Sequence, residues 1–446
     1  MTLNSLLIAN RGEIAICIIR AAAEMGIRTV AVFPDDDATS LHTRKADEAR
    51  HLKGAGAAAY LEADQIITIA KDTKCDAIHP GYGFLSENAG FARRCVGDGI
   101  AFVGPRAEML ELFGDKVRAR ELAERCGVPI LHGTTGATTL DEARQFFASL
   151  GEGAAMMIKA VAGGGGRGMR VVTRASEIDE AYKRCQSEAR ASFGNGDVYV
   201  EQLMPRARHI EVQIVGDHSG NVSHLWEREC SIQRRNQKIV EVAPAPGLEP
   251  ALRNRLTAAA VRIAREVRYD NLGTFEFLVK ADASASDEAR FAFIEANPRL
   301  QVEHTVTEEV TGIDLVKLQI QLAAGRTLTE LGMEQASIPK PRGFAMQTRI
   351  NMESMGADGS TKPAGGTITA FEAPTGPRVR TDTFAYAGYT TSPAFDSLLA
   401  KLIAHSPSAD FADVIAKTYR ALCEFRIEGV QTNIGFLQSL LKHPEF

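Results

Sequence analysis

The chain is poor in the features that would settle its class at a glance, and each shortage excludes something. Among 446 residues tryptophan occurs once and aromatic residues make up 7%. The seven cysteines, Cys17, Cys75, Cys95, Cys126, Cys185, Cys230 and Cys423, are scattered, odd in number and never spaced Cys-x-x-Cys. That pattern argues against a disulfide scaffold or structural zinc site and fits a reducing, cytoplasmic setting. No run of eighteen apolar residues occurs, so no membrane span is expected. Met1 to Asn10 carry neither a basic n-region nor a small-residue cleavage pattern, so no leader is expected. Lys and Arg total 51 against 56 Asp and Glu, a net charge of −5. A dominant basic surface for nucleic acid is excluded, while a local basic pocket is left open. With 45% hydrophobic and 24% charged residues the chain is neither disordered, collagen-like nor coiled coil. Its length predicts two to four lobes.

What is present is glycine, 39 residues of it, and its placement. The N-terminal third alternates apolar runs (Leu6–Ala9, Ile27–Phe33, Cys75–His79, Ile100–Val103) with helical spacing over Glu13–Met25, which predicts a parallel sheet. The first strand leads into Asn10-Arg11-Gly12-Glu13, which lacks the Gly-x-Gly-x-x-Gly dinucleotide fingerprint. The spacing predicts one helix over Arg106–Cys126, strands at Met156–Ala160, Met169–Val172 and Val198–Leu203, and a hairpin turn at His218–Asn221. Further strands are expected at His209–Val215, Thr274–Val279 and Phe291–Asn297, a loose polar loop over 280–290, and helices at Gly312–Gly325 and Asp410–Glu424.

Between two apolar strands lies Lys159-Ala160-Val161-Ala162-Gly163-Gly164-Gly165-Gly166-Arg167-Gly168-Met169. Consecutive glycines form no stable regular element, and their N–H groups are free to face phosphate oxygens. Gly-Lys-Ser/Thr is absent, so this is not a Walker A loop; a flexible linker is the alternative. Glu276 in Thr274-Phe275-Glu276-Phe277-Leu278 and Glu295 and Asn297 in Phe293-Ile294-Glu295-Ala296-Asn297 sit among apolar neighbours. Two such carboxylates and an amide oxygen form an oxygen-rich site for Mg2+. The competing reading is a solvent face of an antiparallel pair. If Pro298 to Glu303 is extended, Arg299, Gln301 and Glu303 continue the face of Glu295 and Asn297, an anion site beside a metal; an ordinary charged edge strand is the alternative. His79 to Asn88 reads foremost as a structural turn, and the donor-rich Glu229 to Lys238 as either an anion contact or a solvated face.

Together these segments resemble biotin carboxylases, the ATP-grasp component of biotin-dependent carboxylases. The resemblance runs along the whole chain, through Ile8-Ala9-Asn10-Arg11-Gly12-Glu13-Ile14-Ala15, His79 to Asn88, Gly114-Asp115-Lys116, the glycine loop, Gln233-Arg234-Arg235, Gly273 to Phe277, Asn297-Pro298-Arg299-Leu300-Gln301-Val302-Glu303-His304, Arg349-Ile350-Asn351 and Ala387-Gly388-Tyr389. It implies an α/β fold of three lobes. These are an N-terminal parallel-sheet lobe (1–113) with a linking helix (114–130), a small mobile α+β lid (131–204), and a C-terminal lobe with an antiparallel sheet (205–446). It implies ATP contacts at Lys116, Lys159, Gly163, Gly164, Gly165, Gly166, Gly168, Met169, Glu201, Gln202, Leu203, Met204, His209, Gln233, Asn236 and Leu278. It implies Mg2+, with Mn2+ as a substitute, at Glu276, Glu295 and Asn297, and bicarbonate at Lys238, Arg299, Gln301, Val302 and Glu303. Lys238 and Arg299 match catalytic cations, Glu303 the base that deprotonates bicarbonate, and Arg349 the residue that stabilises the biotin enolate. The implied reaction is ATP-dependent carboxylation of biotin through carboxyphosphate.

The departures from the family pattern are Ala162 for a loop glycine, Asn236 for a histidine, Val242 for a glutamate, and Cys17 for an arginine at the dimer surface of the stand-alone bacterial enzyme. The last leaves that dimer open, although a homo-oligomeric holoenzyme is expected. No Ala/Val-Met-Lys-Met attachment motif occurs, so biotin is expected as a substrate on a carrier domain or protein, with a carboxyltransferase domain or subunit as second partner. No nucleic acid or membrane partner is expected. The wording around Glu295 and at Thr305 to Val310 resembles the multidomain carboxylases. A ligase coupling a carboxylate to an amine would share the glycine loop and metal carboxylates but lack Arg349 and the Arg299-x-Gln301-x-Glu303 run. A silent scaffold would have lost a metal carboxylate or Glu303.

Overall fold

The computed structural model describes residues 2–151, 153–161, 168–281, 290–356 and 359–446. Most of the glycine loop (162–167) and of the polar stretch after Val279 (282–289) therefore lie outside the described residues. The four apolar runs of the N-terminal third, with one polar strand that the spacing did not predict (β3), form a parallel sheet of order β3-β2-β1-β4-β5. Its strands are β1 (Ser5–Ile8), β2 (Arg28–Phe33), β3 (Glu48–His51), β4 (Ala77–His79) and β5 (Ala101–Phe102). A parallel sheet needs helical cover, and α1 (Gly12–Glu24) supplies part of it. Asn10 ties the end of β1 to the turn after β4, its Nδ2 donating to Pro80 O at 2.6 Å and Tyr82 O at 2.8 Å. The Asn88 side chain caps α2 (Ala89–Gly97), accepting from Phe91 N at 2.8 Å.

The single helix expected over 106–126 is two, α3 (Ala107–Gly114) and α4 (Lys116–Arg125). Asp115 leaves the helical region (φ −99°, ψ 106°), and its carboxylate accepts from Val117 N at 3.0 Å and Arg118 N at 3.2 Å. A carboxylate satisfying first-turn amides competes with helical continuation, and hydrophobic spacing does not register it. Beyond α4, α5 (Leu140–Ser149) and α6 (Ile178–Phe193) pack on an antiparallel sheet of order β7-β6-β8, with β6 (Met156–Ala160), β7 (Met169–Val172) and β8 (Val198–Gln202).

The rest is built on one antiparallel sheet of eight strands. They are β9 (Ala207–Gly216), β10 (Val222–Arg234), β11 (Gln237–Ala243), β12 (Asn271–Lys280), β13 (Phe291–Asn297), β14 (Phe344–Asn351), β15 (Val379–Thr383) and β16 (Leu398–Ser406), in the order β13-β12-β9-β10-β11-β14-β16-β15. One face is apolar. Ile210, Val212, Ile214, Phe275 and Phe277 pack with Leu252, Leu256 and Ile263 of α7 (Pro250–Glu266), and Met346, Ile350 and Leu402 with Val414 and Leu422 of α10 (Phe411–Glu424). On the β10–β11 hairpin Arg235 and Asn236 are both at positive φ (50° and 65°), as a two-residue I′ turn requires. Gly273 is required by a close approach, since a Cβ there would lie 2.1 Å from the Tyr269 hydroxyl.

Two expectations change at the end of this sheet. After Asn297 the chain is irregular and enters α8 (His304–Thr311) with Glu303 as its N-cap residue, so Arg299, Gln301 and Glu303 do not extend one strand face. Pro298 cannot donate to a ladder, which favours ending the strand there. The helix expected over 312–325 is α9 (Leu315–Ala323). Gly312, at φ 74°, closes α8 and the Asp314 side chain caps α9. Among the described residues no helix is long and apolar enough to cross a membrane.

The Asp115 cap can be tested alone. Asp115→Ala should cost about 1 kcal/mol, seen as a lower urea midpoint with unchanged slope, while Asp115→Asn should stay near wild type.

Candidate active site

The other face of the eight-stranded sheet carries ions in register. By strict alternation Glu295 would lie on the core face with Phe291 and Phe293. A register shift puts Phe293 opposite Phe277 but Glu295 opposite Glu276, so Ile294 is the extra residue of a bulge. The bulge turns Glu295 and Asn297 to the polar face and Ala296 to the core. From there the register runs Glu295, Glu276, Glu211, Arg228 across β13, β12, β9 and β10. Beyond β11 it resumes as Arg349, Lys401, Asp382 across β14, β16 and β15.

These groups neutralise one another. Lys238 Nζ donates to Glu211 Oε2 at 2.6 Å, Glu303 Oε1 at 2.7 Å and Glu276 Oε1 at 3.1 Å, so all three of its N–H bonds are taken. Arg228, fully buried, meets Glu211 Oε1 at 2.5 Å, Gln213 Oε1 at 2.8 Å, Thr307 Oγ1 at 2.9 Å and Thr274 Oγ1 at 3.1 Å. Arg349 bonds Glu241 Oε1 at 2.5 Å and Glu303 Oε2 at 3.1 Å. His209 Nε2 lies 2.6 Å from Glu276 Oε2, and Lys116 Nζ 2.9 Å from Glu295 Oε2. Burial alone would raise the Glu303 pKa, but the positive charges of Lys238, Arg349 and Arg228 outweigh it and hold the carboxyl well below the usual range. Burial opposes ionisation of Glu276 and Glu295 too; Lys238 and His209 keep the first lowered, Lys116 the second. Burial would strip Lys238 of its proton, and Glu211, Glu276 and Glu303 raise its pKa well above the ordinary value instead. Glu241 goes the other way, because burial outweighs Arg349 and raises it.

Two subsites follow. Glu276, Glu295 and Asn297 form an oxygen donor set suited to a hard divalent cation, with Asn297 Nδ2 held by Glu276 Oε1 at 2.7 Å. Beside them Arg299 Nη1 donates to Gln301 Oε1 at 3.1 Å, and Gln301 Nε2 is buried with no hydrogen-bond partner among the described residues. Arg299 Nε also pairs with Glu87 Oε2 at 3.4 Å. A buried donor without an acceptor is costly, and here it stands beside a guanidinium and the Lys238–Glu303 pair, a setting for a small anion.

Of the residues expected from sequence, Lys116, His209, Gln233, Lys238, Glu276, Glu295, Asn297, Arg299, Gln301, Glu303 and Arg349 are linked in this cluster. Gln233 joins through a 3.2 Å contact to His209 Nδ1. Leu278 faces His209 across the β12–β9 pair. The Val302 carbonyl accepts from Lys401 Nζ at 3.2 Å. Lys159 pairs with Glu201 across β6 and β8, and Met169 is opposite Lys159. The N–H groups of Gln202 and Leu203 are spent on His132 O at 2.7 Å and Ala155 O at 2.8 Å, and Glu201 is paired with Met157 of β6 and bridged to Gly133. Gly168 is at φ 67°, and Asn236 is exposed at the hairpin tip. Gly163, Gly164, Gly165 and Gly166 lie outside the described residues. Sequence reasoning missed Glu87, Arg120, Glu211, Arg228, Glu241 and Lys401. Alternation from His209 pointed to Glu211. Arg120, 3.3 Å from Glu201, had no local signal.

Comparison with known proteins follows the same lines. The family model "Biotin carboxylase, N-terminal domain" matches residues 2–110. "Carbamoyl-phosphate synthase L chain, ATP binding domain" matches 115–331, and "Biotin carboxylase C-terminal domain" matches 347–446. The chain is 49% identical to pyruvate carboxylase of Bacillus subtilis, over 100% of this chain and 38% of that protein. It thus spans less than two fifths of the curated relatives it matches. The biotin carboxylase domain dimer of Hydrogenobacter thermophilus 2-oxoglutarate carboxylase, solved with MgADP, ADP and bicarbonate, superposes with a TM-score of 0.94 at 40% identity, over 100% of this chain and 95% of that one. Campylobacter jejuni biotin carboxylase, in a nucleotide complex, gives 0.93 at 38% identity, over 100% and 96%.

Charge balance at the back of the cluster predicts a non-additive pair. Glu211→Gln leaves Arg228 buried without its carboxylate and should cost about 3–5 kcal/mol. Adding Arg228→Met should recover much of that loss, read as thermal midpoints of the two variants; simple addition of the two losses would refute the pairing.

Proposed function

The chain belongs to the biotin carboxylase family, and on that footing we propose that it carboxylates biotin presented on a carrier, using ATP and bicarbonate through carboxyphosphate. The observation that carries this reading is the anion setting itself: Arg299 and the unpartnered Gln301 Nε2, next to an ionised Glu303 and Lys238. Arg299, Gln301, Lys238 and the Val302 backbone hold bicarbonate. Lys116 and Lys159, with Gly168 and the loop glycines, receive the ATP phosphates. Glu201 to Met204, Met169, Gln233, Asn236 and Leu278 line the nucleotide, and His209 lies beside it. Glu276, Glu295 and Asn297 would hold Mg2+, which supplies positive charge to offset the phosphates.

Glu303 is the base. The three cations that keep it ionised also make it a weak acceptor. An anion seated against Lys238 and Arg299 draws part of that field away, so proton affinity at Glu303 rises when the substrate is in place. The deprotonated bicarbonate oxygen attacks the γ-phosphorus, ADP leaves, and carboxyphosphate then yields CO2 and phosphate. The phosphate accepts the N1′ proton of biotin, and that nitrogen attacks CO2. Arg349, held from behind by Glu241, stabilises the ureido oxygen as negative charge develops on it. Closure of the lid over the loop excludes water, which would otherwise hydrolyse carboxyphosphate.

The partners in this reading are a biotin carboxyl carrier and a carboxyltransferase, supported by the pyruvate carboxylase relatives, of which this chain covers 38% or less. A homo-oligomer is supported by the domain dimer of the Hydrogenobacter thermophilus neighbour. A reducing cytoplasm fits seven cysteines that are all free.

ADP release with Mg2+, ATP and bicarbonate, with and without free biotin, tests the reading. Biotin should raise the rate, and Glu303→Gln should lower the biotin-dependent rate on the order of 10²- to 10⁴-fold. ATP turnover indifferent to biotin in the wild-type chain would overturn it.

A further inference from the structure

Residues 298–303, which carry Arg299, Gln301, Val302 and Glu303, lie between the end of β13 and the start of α8 and belong to no strand. Something other than a ladder must fix them. Their own turn gives the Arg299 N to Asn297 O bond at 2.8 Å and His304 Nδ1 against Gln301 O at 2.8 Å. Further holds come from elsewhere in the chain. Glu87, after β4, takes Arg299 at one end, and Lys401 of β16 takes the Val302 carbonyl at the other.

Lys401 is fully buried, and an ammonium in that position costs several kcal/mol of desolvation unless its partners compensate. Glu13 of α1 lies at 3.2 Å and Asp382 of β15 at 3.7 Å. Two carboxylates would suffice if the group were only a cross-link between lobes. Instead an N–H goes to the main-chain carbonyl directly before Glu303. Lys401 is also the register partner of Arg349, whose guanidinium reaches Glu303 Oε2 at 3.1 Å. The same strand pair therefore addresses Glu303 twice, through its carboxylate and through the peptide that orients it.

We propose that Lys401 is a positioning residue of the carboxylation site: anchored by Glu13 and Asp382, it fixes the Val302–Glu303 peptide and so aims the base at bicarbonate. Glu13 makes the N-terminal lobe part of that hold, and the Tyr82 hydroxyl bonds Glu13 from the turn that also carries Glu87. The inference rests on Glu303 acting as the base proposed above.

Its test uses Lys401→Met, Lys401→Arg and, because a lone Lys401→Met strands the buried Glu13, the charge-matched Glu13→Gln/Lys401→Met, in which Asp382 keeps its bonds to Arg380 at 2.8 and 2.9 Å. The double variant removes one charge of each sign and should fold. In it kcat for biotin-dependent ADP release should fall on the order of 10- to 100-fold, the effect of a small misplacement of a reacting group. The bicarbonate KM should rise while ADP affinity stays at the wild-type value. Lys401→Arg, which keeps a cationic donor, should restore part of kcat. A folded double variant with wild-type kcat and bicarbonate KM, or one that loses ADP affinity in step with kcat, overturns the inference and leaves the biotin carboxylase reading standing. A wild-type chain indifferent to biotin removes both.

Discussion

Charge neutrality inside a sheet is the constraint on which this structure turns. The polar face of the eight-stranded sheet is covered by α8, α9 and the N-terminal lobe, so its ions sit where an unpaired charge is expensive. The solution is a mesh in which the central cations serve more than one carboxylate. Lys238 meets Glu211, Glu276 and Glu303, and Arg349 meets Glu241 and Glu303. Antiparallel register makes this economical, because directly opposed residues on neighbouring strands bring their side chains together without long loops.

The mesh also explains how a polyanionic nucleotide can enter a site lined by acids. Each carboxylate of the proposed metal site is paired with a cation: Glu295 with Lys116, and Glu276 with Lys238 and His209. In the function proposed above, metal and nucleotide arriving together would exchange partners with these pairs, and the sum of charge would change little. Either one alone would leave carboxylates or cations without their counterpart in a low-dielectric interior. Co-binding of the two is thus favoured by the protein's own electrostatics, before any shape complementarity is considered.

Much of the fold could be read from the sequence, for identifiable reasons. Four of the five parallel strands lie in apolar runs, whereas β3 is the polar Glu48-Ala49-Arg50-His51 and gave no such signal, and the Gly-rich stretch between Met156–Ala160 and Met169–Val172 separates two strands that do pair. Glu276 and Glu295 stood out as carboxylates in apolar surroundings, and they lie together with Glu303 around Lys238 and Lys116. What escaped was set by non-local geometry. Glu295 owes its direction to a bulge at Ile294, which alternation cannot anticipate. Asp115 ends one helix through its side chain in the middle of a helical pattern. The cations that neutralise Glu276 and Glu295 come from Lys116 and Lys238, far along the chain, whereas the nearest lysine in sequence was Lys280. Arg228, Glu241 and Lys401 look like ordinary strand residues until the register aligns them.

The N-terminal lobe's reach across the molecule bears on how such enzymes can be recombined. It contributes no residue to the metal donor set, and by chain order it looks like a separable module placed ahead of the nucleotide-binding parts. Yet its Glu87 pairs with Arg299 at one end of the segment that carries the proposed anion site, and its Glu13 reaches the other end through Lys401. A chimera whose incoming lobe lacked these two carboxylates would keep the side chains of the 298–303 segment in its sequence and lose both holds on them. The unit of exchange is therefore the lobe together with the 298–303 segment and β16, a grouping discontinuous in sequence that no cut-and-paste of contiguous domains would preserve.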